Sequence, residues 1–177
     1  ARLHPAISFE FDLTPRNVDL FCEPFDVAIR MGTPPDSALI ARPLAELTPF
    51  LYASPGYLER CGEPETPAAL NPRDCLQFPK TTRWALNDGV QSVEVAVDGR
   101  FRQNSPSLIR RLATLDLGVA LLPEIVVQDD LVEGRLRRIL PRWRGAPVTV
   151  HALTETRLLP AKTQRFIEFL RARLKQA

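Results

Sequence analysis

Two serine–proline pairs are the residues with the clearest potential for chemistry in this sequence. Ala53-Ser54-Pro55 and Asn104-Ser105-Pro106 each follow a predicted strand and precede a predicted helix. In both, the serine is suited to cap the helix and the proline to occupy its first turn. A helix N-terminus presents unpaired N–H groups and the positive end of the helix dipole, so two such ends facing one crevice would bind a carboxylate. For either pair alone, an ordinary helix cap is the more common role.

Motifs of catalysis and metal binding are absent from the sequence. It contains no GxSxG, HExxH or P-loop pattern, and His4 and His151 are its two histidines, so a base for Ser54 would have to come from a distant part of the chain. The pair Asp129-Asp130 is more typical of a solvated helix surface than of a metal site. We expect neither an enzyme nor a cofactor, with a small α/β hydrolase as a less favoured alternative.

The three cysteines do not form a recognisable site. Cys22, Cys61 and Cys75 are an odd number and have no CxxC spacing. This pattern predicts neither a disulfide framework nor a zinc site. We expect reduced thiols that pack as small apolar side chains.

The composition is typical of one globular domain. The 177 residues are 45% apolar and 25% charged, which disfavours disordered and fibrous classes. No apolar run reaches the roughly 18 to 20 residues that span a bilayer, and the N-terminus lacks the order of a signal peptide. We therefore expect a cytoplasmic protein with no membrane partner.

The charge pattern argues against DNA binding by this chain alone. Its 23 basic and 21 acidic residues are mostly interspersed, whereas a nucleic-acid footprint concentrates basic residues on one face. One local basic cluster is interpreted as a solvated strand edge rather than a phosphate track; it comprises Arg135, Arg137, Arg138, Arg142 and Arg144.

Periodicity predicts an alternation of strands and helices. Ile7 to Thr14 has apolar residues at every second position, the pattern of a strand with one buried face. Pro106 to Leu115 places Leu108, Leu112 and Leu115 on one face of an amphipathic helix. Further strands are predicted at 26–31, 49–53, 75–78, 83–87, 92–97, 101–103, 119–122, 136–140 and 148–153, with a hairpin turn at Asp98-Gly99, and further helices at 55–60, 66–70 and 124–132 and around Phe166, Ile167, Leu170 and Leu174. This order indicates an α/β protein.

Three blocks of sequence resemble, in the same order, the effector-binding domain of LysR-type bacterial transcription regulators. They are RNVDLFCEPFDVAIRMG from Arg16 to Gly32, LYASPGYLERCGEPETPAAL from Leu51 to Leu70, and LATLDLGVALLPEIVVQDDLVEGRLRRIL from Leu112 to Leu140. The family's domain normally opens with one more strand and helix, preceded by a winged helix-turn-helix, and we find neither in this sequence. The resemblance implies an N-terminally truncated, two-lobed fold of the type 2 periplasmic-binding-protein kind. Residues 1–54 with 153–177 would form the first lobe and residues 55–152 the second.

The same resemblance implies an effector site in a cleft between the lobes. Its expected contacts are Gly32, Thr33, Ser54, Pro55, Trp84, Asn104, Ser105 and Pro123. Several have a plain structural alternative: Gly32 and Thr33 as an ordinary turn, Trp84 as a packed core residue, and Pro123 as a helix-starting proline. The expected ligand is a small organic molecule, anionic or hydroxylated.

The expected function is therefore that of a sensing and oligomerisation domain. By resemblance, the strand Ile7 to Thr14 and the helix Pro106 to Leu115 would form the interface of a homodimer or tetramer. DNA would be bound only through the missing N-terminal domain. A free-standing solute-binding protein of the periplasmic kind shares this architecture and is the main alternative.

Overall fold

The computed structural model describes residues 5–13, 25–32 and 38–174. Within them the strands are β1 (Ala28–Met31), β2 (Ile40–Leu47), β3 (Pro49–Ala53), β4 (Cys75–Leu76), β5 (Arg83–Asn87), β6 (Ser92–Ala96), β7 (Val119–Pro123), β8 (Arg137–Arg138), β9 (Arg144–Gly145) and β10 (Val148–Thr154). The helices are α1 (Pro55–Cys61), α2 (Pro106–Thr114), α3 (Glu124–Val132) and α4 (Ala161–Leu174), with a 3-10 helix at Pro67–Leu70. The fold is mixed α/β, as predicted.

The chain divides into two compact units. Unit 1 is built from both ends of the chain, residues 1–46 and 149–177, and unit 2 is the uninterrupted segment 47–148. Both boundaries fall earlier along the chain than the expected lobe boundaries at 54/55 and 152/153. The strand β3 therefore belongs to unit 2.

The sheet of unit 1 contains a strand that the sequence pattern did not predict. Its order in the described residues is β1-β10-β2, with β1 antiparallel to β10. Pro43 interrupts the pattern of β2, but β2 ends this order, and a proline is tolerated where a strand has no neighbour to receive its N–H. Ile167 of α4 and Leu44 of β2 are among the buried residues of this unit.

The predicted strand Ile7 to Thr14 is wrong for its described part. Residues 7–13 form no strand, and Thr14 lies outside the described residues. Phe9 stacks on Phe11 with ring centroids 6.0 Å apart and contacts Phe166 of α4 at 5.7 Å. Phe11 and Leu13 remain 68% and 89% exposed. An alternating pattern specifies which side chains share a face, but a strand also requires a hydrogen-bonding partner.

Unit 2 contains a mixed sheet with helices on both faces. Its order is β4-β7-β3-β9-β5-β6, with β8 also paired to β3. The strands β4 and β7 are parallel, whereas β3 is antiparallel to β7. Residues alternate between two cores along β3: Leu51 and Ala53 pack on the side of α1, and Tyr52 packs with residues of α2 and α3.

The predicted hairpin around Asp98-Gly99 is wrong. The strand β6 pairs with β5, and residues 101–103 form only an isolated parallel bridge, between Arg102 and Gln77. Gly99 crosses so close to Cys75 that a Cβ atom there would overlap the Cys75 carbonyl. An Asp-Gly pair favours a sharp bend. Here the residues after the bend run parallel to residues 74–77 instead of returning antiparallel to β6.

The apolar face of α2 is mostly exposed. Ile109 and Ala113 are fully buried, whereas Leu108 and Leu115 are 46% and 50% exposed. Leu112 is only partly buried. The leucine spacing identified one face of the helix, and the structure buries the neighbouring face in unit 2.

The basic cluster at residues 135–144 is partnered locally. Arg135 and Arg137 form ion pairs with acidic residues, and Arg142 lies 4.0 Å from Asp88. The guanidinium of Arg138 stacks over Phe50 with its carbon 3.6 Å from the ring centroid. Arg137 and Arg138 lie on β8, which pairs with β3, whereas Arg144 lies on β9 between β3 and β5, so the strand-edge interpretation is wrong for Arg144.

Candidate functional site

The start of α2 lies at the carboxyl end of the parallel strands of unit 2. The Ser105 hydroxyl accepts a hydrogen bond from the Leu108 N–H at 3.4 Å, so Ser105 is the predicted cap. Residues 101–103 run beside the end of β4, and the Gln103 N–H donates to the Gln77 carbonyl at 3.0 Å. Asn104 is exposed at this edge. Ligands of α/β sheets commonly bind outside the carboxyl ends of the strands.

A second helix begins at the same edge. Pro123 ends β7 and occupies the N-cap position of α3, which has no side-chain cap. A helix-starting proline would occupy the first helical position, so Pro123 lies one residue before the place that this alternative predicts. Leu76 pairs with Ala120, and Gln77 bridges Arg102, so Asn104 lies level with Pro123. Two strand spacings separate them, which is about 10 Å. The N-termini of α2 and α3 thus share one edge of the sheet.

Ser54 and Pro55 lie at the opposite end of the sheet. Because β3 is antiparallel to β7, with Pro49 opposite Pro123, Ser54 is roughly 17 Å from that edge along the strand. Ser54 is 2% exposed, and its hydroxyl accepts from the Tyr57 N–H at 3.4 Å. A small ligand that contacts Pro123 therefore cannot also contact Ser54.

The N-terminus of α1 already has an internal carboxylate beside it. A Cβ atom built on Gly56 would lie 2.7 Å from Oδ2 of Asp116, so this carboxylate lies directly against the first turn of α1. Arg60 donates to the Asp116 carbonyl at 2.6 Å and holds the segment in place. The position that an external anion would occupy at this helix is filled from within the chain.

The remaining predicted contacts lie elsewhere. Gly32 belongs to unit 1, has a φ of +88° that favours glycine, and donates its N–H to the Thr149 carbonyl at 2.9 Å. Thr33 lies outside the described residues. Trp84 is 5% exposed in the core of unit 2, which matches its packing alternative and leaves little of the ring for a ligand.

Three buried donors of unit 2 were missed by sequence reasoning. Among the described residues, Gln103 Nε2, the Tyr52 hydroxyl and Arg138 Nε have no hydrogen-bond partner. Tyr52 and Arg138 are cross-strand partners, and the Arg138 guanidinium lies over Phe50, which pairs with Leu122 just before Pro123. Leaving a buried donor unpaired costs about 1 to 3 kcal/mol. No sequence motif signals these donors, which lie on three separate segments of the chain.

The electrostatics of the edge favour hydrogen-bond donation. Burial raises the pKa of Tyr52 to about 12, with a further contribution from the Glu124 carboxylate, so its hydroxyl stays protonated at neutral pH. Arg138 adds a positive charge and Glu124, in the first turn of α3, a negative one. The Glu124 carboxylate offsets the positive end of the α3 dipole, whereas the first turn of α2 has no acidic residue, so the start of α2 is the better position for a ligand's acceptor oxygens.

The described residues do not assemble a metal centre. Within residues 5–13, 25–32 and 38–174, no group of three or more His, Cys, Asp or Glu side chains could hold a metal ion. Burial raises the pKa of the Cys75 thiol to about 12, which makes this thiol a poor nucleophile. No helix in the same residues has the length and apolar character needed to cross a membrane.

Known proteins with the same fold are bacterial regulators. The family described as LysR substrate binding domain matches residues 1–175. An HTH-type transcriptional regulator of Xanthomonas campestris is 31% identical over 97% of this chain and 52% of its own length. The full-length virulence activator AphB of Vibrio cholerae superposes with a TM-score of 0.78 at 26% identity, over 97% of this chain and 60% of AphB. The regulatory domain of CrgA from Neisseria meningitidis superposes with a TM-score of 0.75 at 26% identity, over 88% of this chain and 78% of that domain's chain.

These likenesses define the class of fold and then the family. The fold is that of the type 2 periplasmic-binding-like regulatory domains. The chain belongs to the LysR substrate-binding domain family of bacterial transcription regulators. It spans 52% and 60% of the length of two of the curated relatives it matches.

Proposed function

We propose that this chain senses a small anionic or hydroxylated organic effector at the edge formed by the starts of α2 and α3. The observation that carries the proposal is that α2 and α3 both begin at the carboxyl ends of the parallel strands β4 and β7. Asn104, which is exposed, and Ser105, which is partly buried, would contact the ligand, whereas Pro123 is buried at the end of β7 and would border the site from beneath. By family analogy, Gly32 and Thr33 remain predicted effector contacts.

The proposed mechanism is a shift between conformations. If the effector binds one arrangement of the regulator more tightly than another, it raises the population of that arrangement. A DNA-binding domain elsewhere in the longer protein would respond through the same linkage, and DNA binding would in turn change the affinity for the effector. On this proposal the domain acts in the cytoplasm and performs no catalysis.

We further propose that α2 takes part in a homodimer or tetramer interface. Its exposed face carries Leu108, Leu112 and Leu115, and the segment 7–13 exposes Phe11 and Leu13. Apolar side chains grouped on one face favour burial against a partner. These are the two segments that the family analogy predicts for subunit contacts.

A thermal unfolding scan against small aromatic and aliphatic carboxylates tests the effector proposal. A ligand at about 100 times its dissociation constant adds roughly 2.7 kcal/mol to the free energy of unfolding, which raises the melting temperature of a domain of this size by roughly 5 to 10 °C. We expect a selective shift with carboxylates of matching shape. A cooperative transition that no compound shifts would oppose a sensing role.

Two matched substitutions test the location of the effector. Asn104→Asp places a negative charge at the proposed contact and should weaken binding by about tenfold, equivalent to about 1.4 kcal/mol. Asn71→Asp, at an exposed asparagine elsewhere in unit 2, is the control and should bind normally. If Ser54→Ala abolished the shift while Asn104→Asp kept it, the ligand would lie at α1 and the proposed edge would be wrong.

A further inference from the structure

The outer side of β6 is an open strand edge. In the part of the chain that the structure describes, β6 is the last strand of the unit 2 sheet and pairs with β5 alone. The Val97 N–H donates to the Thr82 carbonyl at 3.0 Å and continues this antiparallel register. Backbone groups of an antiparallel strand face one neighbour at every second residue, so those of Val93 and Val95 also face β5. The backbone groups that face outward belong to three exposed residues: Ser92, Glu94 and Ala96.

A depression lies beside this edge on one face of the sheet. It has a volume of about 390 Å³ and lies between β6, the 3-10 helix and Trp143. Val95 is buried in the core beneath it, and Val93 and Trp143 pack against that core from partly buried positions. Side chains alternate along a strand, so Glu94 points to the opposite face, where it lies 3.5 Å from Arg83. The edge therefore has an apolar side and a charged side.

An added strand would use the edge and the depression together. Its backbone N–H and C=O groups would pair with the outward groups of β6, and every second side chain would enter the depression. In such β-augmentation the main-chain hydrogen bonds supply affinity and the pockets for alternate side chains supply specificity. Antiparallel addition is slightly more stable than parallel addition, and it would extend the antiparallel pairing of β5 and β6.

The two faces specify the chemistry of the added strand. Residues opposite Val93 and Val95 would lie over the depression and should be apolar, such as valine. The residue opposite Glu94 would lie on the charged face, where a cross-strand pair of opposite charges is stabilising. The ion pair of Glu94 with Arg83 joins two side chains that are more than 60% exposed, so it is weak and leaves the carboxylate available to a lysine or an arginine.

A second copy of β6 matches these faces less well. When β6 pairs antiparallel with its own copy over its whole length, Ser92 to Ala96, Glu94 lies opposite the second Glu94. Like charges directly opposite each other destabilise a strand pair. A segment that carries a basic residue at this position has the complementary charge.

We propose that the outer edge of β6 binds an extended segment of another polypeptide, in which a basic residue stands between two apolar residues. The segment pairs antiparallel with β6, its apolar side chains enter the depression beside Trp143, and its basic side chain contacts Glu94. None of these residues belongs to the proposed effector edge, so either proposal can fail without the other.

The test uses the peptide STVKVTS, acetylated and amidated at its ends, as the probe. In a nitrogen-15 spectrum we expect saturable downfield shifts of the Ser92, Glu94 and Ala96 amide resonances, because their N–H groups become hydrogen-bonded. The dissociation constant should be on the order of millimolar for so short a peptide. The amides of Val93 and Val95 already face β5 and should move much less. This alternation distinguishes strand addition from a side chain that only fills the depression.

Two altered peptides separate backbone pairing from charge. Methylation of the amide nitrogen of the central lysine keeps every side chain and the charge but removes the N–H that would donate to the Glu94 carbonyl. This change should weaken binding by about tenfold. The peptide STVEVTS places a glutamate opposite Glu94 and should bind about fivefold more weakly than STVKVTS.

A matched pair of protein variants tests the charge from the other side. Glu94→Gln should weaken binding of STVKVTS by about twofold to fivefold, whereas Glu155→Gln, at an exposed carboxylate in unit 1, should leave it unchanged. The proposal is overturned if STVKVTS gives no saturable shift, if either altered peptide binds equally well, or if Glu94→Gln behaves as Glu155→Gln does. It is also overturned if concentrating the chain alone shifts the same amides while its molar mass doubles in light scattering, since a second copy would then fill the edge.

Discussion

Replacing Asp130 by asparagine is expected to destabilise unit 2 by about 2 kcal/mol. The Asp130 side chain is 1% exposed and is held by Arg110 of α2 and, at 2.6 Å, by Arg135 beyond α3. Removing one member of a fully buried ion pair costs about 3 to 5 kcal/mol. The two arginines are 35% and 40% exposed, and solvent therefore recovers part of that loss. The substituted amide would keep an acceptor oxygen but would lose the charge that both guanidinium groups face.

The pH dependence of this effect follows from the direction of the pKa shift. The hydrogen bond from Arg110, followed by that from Arg135, holds the pKa of Asp130 below its ordinary value in the folded protein. The stabilisation is thus complete above the unfolded-state pKa of about 3.9 and is lost as the pH falls through the lower, folded-state pKa. The difference between wild type and Asp130→Asn should therefore shrink below about pH 4.

Urea unfolding at several pH values is the assay. Asp129→Asn is the matched control, because Asp129 is the adjacent carboxylate and is exposed; its effect should stay within about 0.5 kcal/mol. Equal unfolding free energies for the two variants at pH 7 would refute the argument. So would a difference that persists unchanged down to pH 2, since below about pH 4 the unfolded chain binds a proton at Asp130 and the stabilisation must decline.

Three further predictions concern packing, assembly and thiol chemistry. Gly99→Ala should lower the free energy of unfolding in urea by more than about 2 kcal/mol, because the added Cβ would meet the Cys75 backbone rather than a movable side chain. Wild-type stability of this variant would contradict the close approach of Gly99 to Cys75. Leu108→Lys should lower the dimer fraction in light scattering while leaving the monomer folded, because Leu108 is 46% exposed, whereas Ile109→Ala, at a fully buried position, should cost about 2 to 5 kcal/mol. The interface proposal fails if Leu108→Lys leaves the molar mass of an observed dimer unchanged. Iodoacetamide should label exposed Cys61 before Cys75, whose thiol pKa is raised to about 12 by burial, and peptide mass spectrometry showing equal rates in folded protein would contradict that burial.

Local patterns predicted the elements whose signals lie within their own segment. The predicted bounds of β3, β5 and α3 match the structure because each is a compact apolar or amphipathic run with turn residues at its ends. The predictions for residues 7–13 and for β2 failed for one reason: whether a segment becomes a strand depends on its pairing with a distant segment. Within the described residues, no strand pairs with the segment of Phe9 and Phe11, whereas β2, which contains Pro43, pairs with β10.

The candidate site shows the same division. The serine cap of α2 was predictable because capping uses a hydroxyl and an N–H three residues apart. Which two helix starts share an edge was not, because it depends on β3 being antiparallel to β7. The strand register places Ser54 at the opposite end of the sheet of unit 2 and Pro123 at the same level as Asn104. The role of Asp116 at α1 was equally hidden, since it follows from a close approach to Gly56.

Unit 2 is inserted as one continuous segment into the chain of unit 1. Unit 2 is one continuous segment, and the strands that lead into it and out of it, β2 and β10, are neighbours in one sheet. Segments whose ends lie close together tolerate excision, transplantation and circular permutation. Residues 47–148 carry their own two cores, so they can be produced as an independent fragment or grafted into another sheet as an insertion. The Asp130 cluster would be transferred intact with them.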